Sequence, residues 1–72
     1  MTGAAFIQRV RKIARTRQVS VQFDARQGKG SHGRLYYGER FTTVKDRKKD
    51  IGPGLLQKML TDLGLRRDDL EE

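Results

Sequence analysis

The only histidine of the chain, His32, lies in a glycine-rich segment that reads Gly-Lys-Gly-Ser-His-Gly from Gly28 to Gly33. Histidine ordinarily gains and loses a proton near neutral pH, so His32 is a candidate general acid or base. The glycines allow the backbone to approach another molecule closely, and Lys29 and Arg34 add positive charge on either side. The alternative is a flexible turn in which His32 only caps a strand or binds a phosphate.

One reaction suits these side chains in a basic, cysteine-free protein: attack of an RNA 2′-hydroxyl on its adjacent phosphate. That reaction requires a base, a proton donor and positive charge beside the phosphorane. His32 would transfer one proton. The sequence offers no evident carboxylate partner, so the second proton transfer is left to Lys29, Tyr36 or water.

A second candidate segment, Lys45 to Asp50, precedes a helix that Pro53 is expected to begin. Four of its six side chains are cations: Lys45, Arg47, Lys48 and Lys49. Free amides and the positive end of the helix dipole would add to their attraction for anions. The segment is therefore either a clamp for RNA phosphates or an ordinary solvated loop, and the net charge of the chain favours the clamp.

Two further surfaces are ambiguous in the sequence. Tyr36 and Phe41 are candidates for stacking on unpaired bases or for anchoring a protein, if they face away from the core. The first helix carries Arg9, Arg11, Lys12 and Arg15 between its apolar positions, which indicates either a solvated face or a second contact with a polyanion.

Hydrophobic periodicity predicts the elements that position these residues. Apolar side chains recur at helical spacing from Ala4 to Arg17, with Thr2 as the N-cap, and Val19, Val21 and Phe23 then alternate as in a strand. Two more strands, at 34–37 and 40–44, flank Gly38 and Glu39 as a hairpin. Its two-residue turn would place Leu35, Tyr37, Thr42 and Val44 on one face and Tyr36, Phe41 and Thr43 on the other.

The last predicted helix begins at Pro53 and ends at Gly64, after which Leu65 folds back onto the helix. The expected fold is α+β in the order α-β-β-β-α, an antiparallel three-stranded sheet with both helices on one face. Its 72 residues form one domain, whose last seven residues are expected to be a solvated tail.

Net charge and composition limit the classes of molecule that the chain is expected to bind. The net charge is +7, and residues 1–60 carry 14 basic and 4 acidic side chains, whereas residues 61–72 carry 2 and 5. Such a basic body favours nucleic acid or an acidic protein over a membrane. Without cysteine and with one histidine, neither a metal nor another cofactor is expected. No apolar run is long enough for a membrane span or a signal peptide, so a cytoplasmic location is expected.

The order of these motifs resembles the HicA family of toxins from toxin-antitoxin modules. The resemblance rests on Gly30-Ser31-His32 after a helix and a strand, on Thr42-Thr43-Val44 before a basic stretch, and on residues 51–60 followed by Leu63-Gly64-Leu65. It implies a fold like that of double-stranded RNA-binding domains and an mRNA interferase activity in which His32 is catalytic. It also implies that Gly30 and Ser31 belong to the site, and that a HicB antitoxin forms a hetero-oligomer with the chain and masks it.

The resulting hypothesis is a metal-independent endoribonuclease in which His32 moves the proton. Lys29, Gly30, Ser31, Arg34 and the cations of residues 45–49 would bind RNA phosphates. Two alternatives remain open: a non-catalytic RNA-binding module, and an interaction subunit whose basic surface serves a protein partner.

Overall fold

The chain folds in the predicted order of helix, three strands and helix. The computed structural model describes residues 1–25 and 32–71. Its elements are α1 (Gly3–Arg17), β1 (Val21–Asp24), β2 (Gly33–Tyr37), β3 (Arg40–Val44), α2 (Pro53–Leu63) and a 3₁₀ helix (Arg67–Glu71). In this part of the chain, none of the helices combines the length and the apolar character that crossing a membrane requires.

The ends of α1 explain where the first strand begins. Thr2 is extended, and its hydroxyl oxygen accepts a hydrogen bond from the Ala5 amide at 3.1 Å, as an N-cap does. At the other end Gln18 is left-handed, and the Val19 amide donates to the Ala14 carbonyl at 2.9 Å. Val19 was predicted to lie in the strand. Because its amide caps the helix instead, β1 begins only at Val21.

The hairpin register is the predicted one. Tyr37 pairs with Arg40 across Gly38 and Glu39, and Gly38 has a φ of 62°. The sheet order is β1-β2-β3, with both pairs antiparallel. On one face Leu35, Thr42 and Val44 are buried and Tyr37 is half-buried; Tyr36, Phe41 and Thr43 occupy the other. We call this second face the open sheet face.

Both helices pack on the buried face of the sheet, as the period of their apolar residues predicts. The helical part of the core consists of Phe6, Ile7, Val10, Ile13, Met59, Leu60 and Leu63. Gly64 ends α2 with a φ of 73°, and Leu65 returns to the core with its amide bonded to the Leu60 carbonyl at 2.8 Å. The predicted stop and return at the end of α2 are thereby confirmed.

A polar contact fixes α2 against β3. The buried hydroxyl of Thr42 donates to Asp62 Oδ2 at 2.9 Å, and the Lys58 ammonium reaches the same oxygen at 2.9 Å. Hydrogen bonds from Lys58 and from Thr42 hold the pKa of Asp62 below its ordinary value of 3.8. The Arg40 side chain donates to the Asp62 carbonyl and so satisfies an acceptor at the end of the helix.

The C-terminal residues differ from the prediction of a solvated tail. They form the 3₁₀ helix, in which Leu70 is only 8% exposed and joins the core. Arg17 Nη2 lies 2.6 Å from Asp69 Oδ1, and Arg9 donates to the Leu70 carbonyl at 3.1 Å. The acidic composition of this segment suggested solvation, but Leu70 packs into the core and two arginines of α1 bind the segment.

Candidate functional site: a basic cleft

A cleft of about 340 Å³ opens where the end of β3, the segment after it and the first turns of α2 meet. His32 directly precedes β2, and Gly33 is paired with Val44 of β3. The next residues outward, His32 and Lys45, therefore lie on opposite sides at the same end of the hairpin. This places the candidate histidine at the start of the segment that the sequence predicted to bind phosphates.

The cleft combines an apolar floor with a charged rim. The floor is formed by Val44, Ile51, Leu55 and Met59. The rim carries His32, Lys45, Asp46, Lys49 and Asp50. A histidine and two ammonium groups above apolar side chains form a site for an anionic group that can exchange a proton.

The first turn of α1 holds the rim segment in place. The Gly3 amide donates to the Lys49 carbonyl at 3.2 Å, and the Ala4 amide donates to the Arg47 carbonyl at 2.9 Å. Amides of a first helical turn have no acceptor within their own helix, so the segment satisfies donors that would otherwise be unpaired. This role could not be predicted from local sequence patterns, because the contact joins residues that are far apart in the chain.

Gly3 permits this contact because it has no side chain. A Cβ at position 3 would lie 2.7 Å from the Asp46 carbonyl oxygen and 2.9 Å from Arg47 Cα. Both are backbone atoms, which cannot move aside as the end of a flexible side chain can. The close approach of α1 to the cleft segment therefore requires glycine at this position.

The Phe23 ring of β1 contacts residues next to the cleft in both β2 and the basic segment. The Arg47 guanidinium carbon lies 5.2 Å from the centre of the Phe23 ring. The same ring packs so closely on Gly33 that a Cβ there would lie 2.9 Å from Phe23 Cε1. Phe23 thus contacts both the residue that follows His32 and a cation of the segment across the cleft.

Two carboxylates, Asp46 and Asp50, line the same cleft as His32, although the sequence showed no evident carboxylate beside the histidine. Asp46 Oδ1 accepts a hydrogen bond from the Lys48 amide at 2.9 Å, and Asp50 Oδ1 lies 3.6 Å from the α-amino group of Met1. In the sequence, the only indication of their role was their position within the cationic segment 45–50. The fold places that segment in the same cleft as His32. No three metal-ligating side chains cluster in residues 1–25 and 32–71.

The predicted phosphate-binding residues are divided between the cleft and other surfaces. Lys45 and Lys49 line the cleft, whereas Arg47 lies over the Phe23 ring and Lys48 is exposed outside the cleft lining. The predictions for Lys29, Gly30 and Ser31 lie outside the described residues.

The remaining candidates lie on the open sheet face. The Arg34 guanidinium carbon is 4.7 Å from the centre of the Phe41 ring, and the rings of Tyr36 and Phe41 are 5.7 Å apart. None of the three lines the cleft. Tyr36, considered above as a proton donor to the reaction at His32, is therefore placed apart from it.

Comparison with known proteins identifies a family. A model of the family described as HicA toxin of bacterial toxin-antitoxin systems matches residues 10–65. No curated protein and no solved structure matches the chain. The matched range contains every residue that lines the cleft.

Proposed function

The chain belongs to the HicA toxin family of bacterial toxin-antitoxin systems, and from this premise we propose that it is an endoribonuclease that cleaves mRNA in the cleft. The observation that carries the proposal is that His32 shares the cleft with Lys45 and Lys49. A proton-transfer group and two cations within one small site are the parts that cleavage of an RNA phosphodiester requires.

In the proposed reaction the ribose 2′-oxygen attacks the adjacent phosphorus while a base removes its proton. The bond from phosphorus to the 5′-oxygen of the next nucleotide breaks, and that oxygen takes up a proton. The products are a 2′,3′-cyclic phosphate and a 5′-hydroxyl. The steps are balanced by proton transfer alone, so the reaction as proposed requires no metal ion.

His32 performs one of the two proton transfers, since it is the histidine of the cleft. Lys45 and Lys49 stabilise the charge that develops on the phosphorane oxygens. Asp46 and Asp50 are the carboxylates that can accompany the histidine, either by orienting the imidazole or by accepting the other proton. Water and Lys29 remain alternatives for the second transfer.

The antitoxin partner that the family implies is proposed to be of the HicB type and to cover this cleft. A covered cleft cannot admit RNA, so binding would inhibit the toxin. The body of the chain is strongly basic, which favours a partner with an acidic contact surface. The resting form is then a hetero-oligomer of toxin and antitoxin.

The test is incubation of purified, partner-free protein with labelled single-stranded RNA in the presence of EDTA. We expect wild type to cleave and to leave 2′,3′-cyclic phosphate and 5′-hydroxyl ends, and His32→Ala to bind RNA without cleaving it. Cleavage by His32→Ala at the wild-type rate would refute the assignment. If both folded proteins bind RNA and leave it intact, the chain is a non-catalytic RNA-binding module.

Two adjacent lysines provide a matched test of the cations. Lys49 lines the cleft and Lys48 does not. We expect Lys49→Gln to lower the cleavage rate much more than Lys48→Gln, although both remove one charge. Equal losses would indicate that the segment acts only through its overall charge.

A further inference from the structure

The open sheet face carries a layer of aromatic and planar groups that the proposed cleavage does not use. Both helices pack on the opposite face, so nothing among the described residues covers this one. Phe41 is 45% exposed, a high value for a side chain of its size in a strand. Its neighbours across the face include the exposed polar residues Gln22 and Thr43.

Three side chains with planar groups already contact one another on this face. The Arg34 guanidinium lies over the Phe41 ring at 4.7 Å, and Tyr36 packs beside that ring at 5.7 Å with a tilt of 43°. Tyr36 and Phe41 are paired across the hairpin, which fixes their separation through the strand register. The backbone therefore holds a preformed surface of π faces, with little side-chain freedom to lose on binding.

Two of these side chains, Arg34 and Tyr36, lie on the strand that begins directly after His32. Arg34 is two residues after His32, and Tyr36 is four residues after it. At about 3.3 Å per residue of strand, these positions lie roughly 7 and 13 Å from the histidine. An RNA strand with a phosphate in the cleft can therefore reach the stack with the next few nucleotides.

We propose that the open sheet face binds unpaired bases of the RNA by stacking on Arg34, Phe41 and Tyr36, and so selects single-stranded substrate. This inference rests on the proposed cleavage in the cleft. The π faces of bases are free in single strands and are covered by neighbouring pairs in a duplex, so this surface discriminates between them. Guanidinium planes and aromatic rings both serve as stacking partners for bases.

The same face is poorly suited to a protein partner. A stable protein interface buries about 800 Å² on each side and has an apolar centre. Here one phenylalanine is the exposed large hydrophobic residue, and Gln22 and Thr43 beside it are polar. Stacking of a base requires only the phenylalanine and the planar groups next to it.

The experiment measures binding of a short unstructured RNA, and of a duplex of the same length, to protein carrying His32→Ala so that the RNA stays intact. In that background Phe41→Leu keeps an apolar side chain but removes the ring, and Phe41→Tyr keeps the ring. We expect Phe41→Leu to weaken single-strand binding by about 5- to 100-fold, as loss of base stacking does. Phe41→Tyr should bind as the parent does, and duplex binding should not change in either variant.

Arg34→Lys separates stacking from charge. The substitution keeps the positive charge but replaces the planar guanidinium with an ammonium group. The affinity for single-stranded RNA should therefore fall, while the slope of its dependence on salt stays the same. A 2-aminopurine placed within a few nucleotides of the cleaved bond should be quenched by the parent protein and not by Phe41→Leu.

Full single-strand binding by Phe41→Leu would overturn the inference, whether or not His32 is catalytic. If Phe41→Leu instead loses a co-expressed HicB-type antitoxin and keeps RNA binding, the face belongs to a protein and the inference also fails. A chain that cleaves no RNA but shows the expected Phe41 effects would disprove the proposed cleavage and keep the stacking surface. Thermal unfolding of each variant shows whether it is folded.

Discussion

The Arg47 guanidinium lies 5.2 Å from the centre of the Phe23 ring, and this contact joins the basic segment to the strand that precedes the histidine. The same Phe23 ring also packs against Gly33, the first residue of β2. The half-buried ring of Phe23 thus contacts both the first residue of β2 and the basic segment. Its position helps to set the distance between the start of β2 and the basic segment.

The first prediction concerns that ring. Gly33→Ala places a methyl group 2.9 Å from Phe23 Cε1 and 3.0 Å from the Asp24 carbonyl oxygen, so we expect it to destabilise the fold by about 1 to 3 kcal/mol. RNA cleavage should also fall, because the residue after His32 is displaced. Urea unfolding and the cleavage assay measure the two effects.

A second substitution tests whether the ring is the cause. Phe23→Leu removes the atoms that collide, so the double variant should be more stable than the sum of the two separate losses predicts. Strict additivity of the two free energies would show that the crowding involves the Asp24 backbone alone.

The second prediction compares two glycines in first helical turns. Gly3 is crowded by the backbone of Asp46 and Arg47, whereas nothing lies within 4 Å of a Cβ at Gly54. Because alanine is favoured over glycine in helices by about 1 kcal/mol, Gly54→Ala should stabilise the protein. Gly3→Ala should instead lower both stability and cleavage, since the cleft segment must move. Stabilisation by Gly3→Ala without loss of cleavage would contradict the proposed attachment of the cleft to α1.

The third prediction concerns the end of α1. Gln18 is the non-glycine residue with a positive φ among those described, at 58°. A side chain in this conformation costs roughly 1 kcal/mol or more, so Gln18→Gly should raise the free energy of unfolding by about that amount. Gln8→Gly, on the exposed side of the same helix, should lower it by about 1 kcal/mol. Chemical denaturation of both variants gives the comparison, and a loss at both positions would show that residue 18 gains nothing from glycine.

The fourth prediction concerns acid stability. The pKa of Asp62 is lowered by hydrogen bonds from Lys58 and Thr42, so the unfolded chain binds a proton at this carboxyl more readily than the folded chain does. Its stabilising effect is therefore complete above about pH 4 and is lost as the pH falls through the lowered folded-state value. The pKa of Asp69 is also lowered, by the Arg66 amide and the Arg17 side chain, and it acts in the same direction.

Thr42→Val removes the hydrogen bond of the buried Thr42 hydroxyl to Asp62 and leaves that of the exposed Lys58 in place. We expect a loss of about 1 kcal/mol at neutral pH, because one hydrogen bond to a carboxylate disappears, and a smaller further loss on acidification than in wild type. Thr42→Ser keeps the hydroxyl and should retain more of the wild-type dependence on pH. Unfolding free energies measured on both sides of pH 4 decide the matter; an unchanged pH profile in Thr42→Val would exclude Thr42 as a contributor.

Features encoded by short stretches of chain could be predicted. Thr2 caps α1, Gly38 and Glu39 form the turn that sets the register of Tyr36 and Phe41, and Gly64 ends α2, as expected. Each depends on a few neighbouring residues whose conformational preferences agree with the fold. The role of His32, which was inferred from its local segment and from the family resemblance, stays a prediction.

Features that depend on distant contacts could not be predicted. The carboxylates of Asp46 and Asp50 reach the cleft of His32 only through the pairing of β2 with β3. Likewise, Leu70 is buried because α1 provides arginines that hold its segment, although the composition of that segment is acidic. Periodicity describes one element at a time and contains no information about such partners.

The attachment of the cleft segment to α1 also determines when the site can form. The hairpin joins strands that are adjacent in the chain, whereas the bond from Gly3 to Lys49 closes a loop containing most of the sequence. Closing long loops costs more chain entropy and occurs later in folding. We therefore expect a growing polypeptide to hold the paired strands before it holds an assembled cleft, so that ribosome-bound fragments lacking residues 45–59 are harmless to the cell that makes them.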